Sequence, residues 1–184
     1  MKKITLKYLE SIGACSEAVE AFRQYQPGTD LIAVLDKAMK LNRFDWANWL
    51  IVRVMNKRRK VQYAVFAAEL VIKIYEDRHP GDGQPRKAID AAKAYLKNPC
   101  ARTKKNARSA AYAAYAAAGA DADAYAADAA YAGAAAAYAA DAAYAGAAAY
   151  AAVYAADAAG GDRKSIQKQI INYGIKLLTG ENHD

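Results

Sequence analysis

Between residues 109 and 159 the chain carries five aspartates and eight tyrosines and no basic residue. Carboxylates and phenols at regular spacing can stack on a ring, hydrogen-bond a polar ligand or move a proton. Here the spacing repeats. YAADAAYAGAAA occurs at 125–136 and again at 138–149, and YAADAA returns at 154–159. On a helix Tyr125, Asp128 and Tyr131 stand at i, i+3 and i+6, as do Tyr138, Asp141 and Tyr144, each trio spiralling over about 120° of surface. Two readings stay open. The tyrosines are core and the aspartates accept their hydroxyls, or the two trios line a groove for a nucleotide or another small ligand. Asp128 and Asp141 facing each other across two helices would form a carboxylate dyad.

Other chemistry is sparse. His79 lies in a proline–glycine stretch, His183 lies at the end of the chain, and neither has partners at metal-ligand spacing. No nucleophile elbow, P-loop or dinucleotide fingerprint occurs. Cys15 and Cys100 match no metal spacing and read as free, buried thiols in a reducing cytoplasm. The expectation is a non-enzymatic protein with no catalytic residue, no metal and no cofactor.

The sharpest basic feature is Arg53, Lys57, Arg58, Arg59 and Lys60. Such a cluster can hold phosphate groups or an acidic partner, or it can close a helix by meeting its negative C-terminal end. Arg86 follows Pro85 in the first turn of a helix, where the dipole favours acids, so it reads as a site residue or as the partner of Asp82 or Asp90. Residues 1–108 hold 22 Lys/Arg against 11 Asp/Glu, the 109–159 segment is −5, and the whole chain is +7. That asymmetry signals an acidic partner or a basic helical layer solvating an acidic one.

These groups sit on helices throughout. LKYLESIG (6–13), CSEAVEAFRQY (15–25), LIAVLDKAMKLN (31–42) and FDWANWLIVRVM (44–55) carry apolar residues at helical spacing, with Ser16 and Thr29 or Asp30 as candidate caps. VQYAVFAAELVIKIYE (61–76) is apolar round most of its circumference and reads as a buried central helix. DRHPGDGQP (77–85) reads as a loop. Between 107 and 159, 34 of 53 residues are alanine, the strongest helix former. One helix over that span would be about 80 Å long, so a compact chain must fold it back, with Gly119, Gly133 and Gly146 as candidate breaks and Asp121 or Asp123 as a cap. A 13-residue shift turns a helix so that the two repeat copies end about 140° apart. Two helices with a bend between them would let each copy face inward. The expected fold is all-α, a single-domain multi-helix bundle with a basic half (1–84), an Ala/Tyr-rich half (85–159) and a C-terminal helix and tail (160–184). No apolar run of about 18 residues is present, so no membrane-spanning helix is expected.

PRKAIDAAKAYL (85–96), following HPGDGQ and preceding the Ala/Tyr tract, resembles the immunity protein family of bacterial toxin–immunity loci, which has relatives in phages and prophages. GACSEAVEAF and DWANWLIVRV upstream are similar as well, and the resemblance spans about residues 11–160. Family members intersperse Arg or His among the alanines, whereas this copy carries Asp and Tyr. The resemblance implies an intracellular protein that neutralises a toxin or, in a phage, a host defence component, by binding without catalysis. An acidic protein partner, engaged through Arg86 and the 53–60 cluster, is the first expectation. A nucleotide held by the Tyr/Asp layer is the alternative, and association into a homo-oligomer is left open.

Overall fold

A computed structural model of the chain describes residues 3–25, 29–121, 123–141 and 145–181. Among the described residues there are eleven α-helices and no strand: α1 Leu6–Ser11, α2 Ser16–Tyr25, α3 Leu31–Lys40, α4 Phe44–Val54, α5 Lys57–Glu69, α6 Ile72–Arg78, α7 Gln84–Lys97, α8 Ala101–Gly119, α9 Ala124–Asp141, α10 Ala145–Ala158 and α11 Arg163–Thr179. A 3-10 turn, Gly160–Asp162, precedes α11.

Local chemistry sets most boundaries. Asp30 Oδ1 accepts the backbone N–H groups of Ile32 and Ala33 and so starts α3. Asn56 Oδ1 accepts from Arg59 N at the start of α5. The polyalanine tract turns after Gly119. There Asp123 Oδ1 accepts from Tyr125 N and Ala126 N, capping α9 as the sequence suggests. Residues 107–159 thus fold into the end of α8, then α9 and α10.

Several expectations change. Residues 61–76 are not one helix: α5 stops at Glu69 and α6 restarts at Ile72, because Val71 leaves helical geometry at φ −127°, ψ −10°. The central helix is α9, which packs against α5, α6, α7, α8 and α10. Its residues from Ala132 to Ala137 are all buried. A helix that is small and apolar all round can be approached from every side. Gly133 and Gly146 lie within α9 and α10 and break nothing. A Cβ on Gly133 would stand 3.0 Å from the Pro85 carbonyl oxygen, so this glycine lets the first turn of α7 press onto α9. The first repeat copy accordingly lies wholly in α9, and the second runs across the α9–α10 junction, so they do not occupy one helix each.

Two kinds of core result. Around α3, α4 and α11 large side chains fill space: Leu35, Ile51, Ile170 and Ile171 are buried. Around α8–α10 alanines do the same work through close helix approach. Cys15 is exposed and Cys100 half-buried, so the expected burial of the two free thiols does not hold.

Candidate functional site

Four tyrosines of the tract pack ring against ring in tilted pairs. Tyr131 lies between Tyr115 (centroids 5.7 Å apart) and Tyr154 (5.2 Å), and Tyr154 continues to Tyr150 at 6.4 Å. Burial, reinforced by the neighbouring phenols, pushes Tyr115 and Tyr154 above the ordinary tyrosine range. Tyr115, Tyr131, Tyr138 and Tyr154 are more than half buried, whereas Tyr112, Tyr125 and Tyr150 are 63, 55 and 53% exposed. Tyr144 lies outside the described residues.

The expected tyrosine–aspartate pairing is not made among the described residues of the tract. Its aspartates reach basic side chains beyond it instead. Asp121 Oδ2 is 2.9 Å from His79 Nε2, Asp123 Oδ2 is 3.4 Å from Arg78 Nε, and Asp157 Oδ1 is 2.6 Å from Arg163 Nη1. Asp141, almost fully buried, accepts from Arg108 Nε at 2.9 Å, and its backbone carbonyl meets Lys57 Nζ at 3.5 Å. A base-free segment placed among basic helices finds charges before it finds phenols. Asp128 and Asp141 do not form a dyad, because both lie on α9, thirteen residues apart. Asp128 stands near Asp157 instead. Burial, and then that negative charge, raise its carboxyl above the ordinary aspartate range.

Arg53 lies in the last turn of α4, where a helix-closing base is expected, whereas Lys57, Arg58, Arg59 and Lys60 open α5, and Lys57 and Arg58 meet the C-terminal ends of neighbouring helices. Lys57 reaches the last residue of α9, and Arg58 Nη1 donates to Leu96 O in the last turn of α7 at 2.8 Å. Arg53 lies over the Trp49 ring at 4.7 Å and donates to Ile12 O. Burial, and then Arg53, hold Lys60 below the ordinary lysine range. Arg86 does not pair with Asp82 or Asp90. It donates Nε and Nη2 to Glu76 (2.7 and 3.0 Å) and Nη1 to Glu69 (2.9 Å), stapling α5, α6 and α7 together. Burial alone would raise Glu69, but Lys93 and Arg86 outweigh it and hold the carboxyl below the usual range. Pro85 beside it is buried against α9.

What the sequence reading missed is the company the cluster keeps. Arg58 sits on the C-terminal turn of α7, which also carries Lys97. Lys57 and Arg108 converge on Asp141, and Lys104 and Lys105 lie one turn before Arg108 on α8. Arg58, Lys97, Lys104 and Lys105 are exposed, and among the described residues none pairs with a carboxylate. The run ARTKKNAR carried that signal, since basic residues at i, i+3 and i+4 share a helix face.

Among the described residues no helix is long and apolar enough to cross a membrane, and no group of three or more His, Cys, Asp or Glu could hold a metal ion. No curated protein and no solved structure matches the chain. The description "Imm-5 like putative immunity protein" matches residues 51–176, the segment running from the last turn of α4 through most of α11 and containing both the Arg86 staple and the basic end. The chain belongs to the Imm-5 like putative immunity protein family.

Proposed function

We propose that the protein neutralises a partner by stoichiometric, non-catalytic binding, and that the partner is a toxin or a defence component presenting an acidic surface. The observation that carries this reading is the set of exposed, carboxylate-free cations Arg58, Lys97, Lys104 and Lys105 at one end of the α5–α7–α8–α9 pack. By contrast, Arg86, Arg43 and Arg163 are each held by carboxylate groups. Cations left unpaired together set up a field that steers an acidic partner and fixes its register. Lys57, over the Tyr95 ring, and Arg86, held by Glu69 and Glu76, serve it by holding α5 and α7 in place. The cytoplasm, where unpaired thiols stay reduced, is the compartment this reading assigns.

The test is co-expression with the candidate toxin. Lys104→Glu with Lys105→Glu should leave the far-ultraviolet circular dichroism unchanged and abolish protection of growth. Protection equal to the parent's would remove the basic end from the interface. A second reading, nucleotide binding by the Tyr/Asp layer, draws support from the Tyr115–Tyr131–Tyr154–Tyr150 ladder, which ends on an exposed ring beside a layer holding Asp128. In a thermal-shift series with nucleotides it expects stabilisation that Tyr150→Ala removes.

A further inference from the structure

A cavity of about 350 Å³ lies between α2 on one side and α3 and α4 on the other. Every residue lining it falls between Leu9 and Leu50, so it is built entirely from chain preceding the family segment. Its walls are apolar. α2 presents Ala18, Ala21, Phe22 and Tyr25 to it, spaced i, i+3, i+4 and i+7, as one helical stripe. Val19 is the only fully buried residue of α2; Ala18, Ala21 and Phe22 stay partly accessible and Tyr25 is exposed, so the fold covers that stripe only in part. Leu35 and Leu50 face it from α3 and α4.

The charges at the cavity are unequal in a useful way. Arg43 is held by both Glu17 and Asp45 and stacks on Trp46 at 3.6 Å, so all three charges are satisfied. Lys37 lines the same cavity with Nζ 4.3 Å above the Tyr25 ring, and among the described residues no carboxylate pairs with it. An apolar slot of small-ligand size with a single uncompensated cation is complementary to an apolar monoanion.

We propose that this cavity is a binding site for a single-chain alkyl carboxylate, with the chain along the α2 stripe and the carboxylate on Lys37. The site is independent of the basic end and of the partner assigned above. A bound chain would replace the contacts α2 lacks and so fix its distance from α3 and α4. Selectivity follows from the same groups: an alkylammonium of equal length meets Lys37 with like charge, and a neutral alcohol gains the slot but not the ion pair.

Trp46 and Trp49 are the two tryptophans of the chain, and both line the cavity, so fluorescence excited selectively at tryptophan reports on this site. The experiment titrates the full-length protein with dodecanoate below its micelle concentration, and in parallel with decanoate, dodecanol and dodecyltrimethylammonium. Dodecanoate should give a saturable change at one equivalent per chain. It should bind tighter than decanoate by up to about fourfold per methylene. Lys37→Met should weaken dodecanoate about tenfold while leaving dodecanol within about twofold. Ala21→Phe, which fills the slot, should remove both. Should Ala21→Phe fail to fold, the Lys37→Met comparison decides alone. No saturable change, equal binding of dodecyltrimethylammonium, or an unaltered affinity in Lys37→Met would each overturn the proposal. A fluorescence shift that depends on protein concentration without ligand would also overturn it, by assigning the cavity to a second copy of the chain.

Discussion

The α1–α4 region and the α8–α10 layer solve the same packing problem in opposite ways. In the first, Leu31, Leu35, Leu50 and Ile51 fill the space between helices with bulk. In the second, Ala129, Ala130 and Ala132–Ala137 let the helices close that space themselves. Bulk packing tolerates helices that stand apart, as α2 does, and leaves a slot where side chains run out. Close packing leaves no such room and concentrates its polar features at the ends and corners, where Asp141 meets Arg108 and Lys57 and the four tyrosines pack ring against ring. The lesson is that the two regions should fail by opposite substitutions.

The largest effect is expected where bulk is removed. Leu35→Ala should lower stability by about 4 kcal/mol through a cavity in α3, read by urea denaturation. Next comes the reverse change, Ala135→Leu in the middle of α9, which should cost about 3 kcal/mol by overpacking. If Ala135→Leu were tolerated and an Ala→Leu change in α3 were not, the contrast between the regions would be wrong.

Corner residues sharpen the comparison. Tyr131→Ala removes the middle of the ladder and should cost about 2 kcal/mol, whereas Tyr112→Ala, on an exposed ring, should stay within about 0.5 kcal/mol. Arg108→Ala should lower the melting temperature by less than Tyr131→Ala does, and the loss should shrink in an Asp141→Ala background, since the cost is that of leaving the buried carboxylate unpaired.

The smallest effect is a slope. Asp128 has its carboxyl raised in the folded chain by burial and then by Asp157, so the folded state holds that proton more tightly than the unfolded state. Stability contributed by this group is present at low pH and is lost as pH rises through the range just above the ordinary aspartate value. Asp128→Asn should remove that contribution, so the stability of the variant relative to the parent should rise with pH over that range, and a difference that stays flat or falls would contradict the assignment.

Much of this was legible in the sequence because it is local. Alanine content, the turn after Gly119, the cap at Asp123 and the start of α3 at Asp30 follow from nearest neighbours along the chain. The break at Leu70–Val71 was not legible, since apolar residues continue at helical spacing across it. Arg86 was conspicuous as a base in a first turn, but its partners, Glu69 and Glu76, come from two other helices. The basic end needed α7 and α8 to bring Lys97, Lys104 and Lys105 beside the cluster at 57–60. The α2 slot is an absence of volume, and no residue type announces it.

The central claim is neutralisation by one-to-one binding at the basic end. The direct measurement is calorimetric titration of the purified partner with the protein at two salt concentrations, repeated with Lys104→Glu/Lys105→Glu, alongside a neutralisation assay at limiting protein. A one-to-one complex is expected, weakened roughly tenfold or more in the variant with a shallower salt dependence, and protection should end when the partner is in excess. Substoichiometric protein that still neutralises excess partner, or a variant with unaltered affinity and salt dependence, would contradict the account.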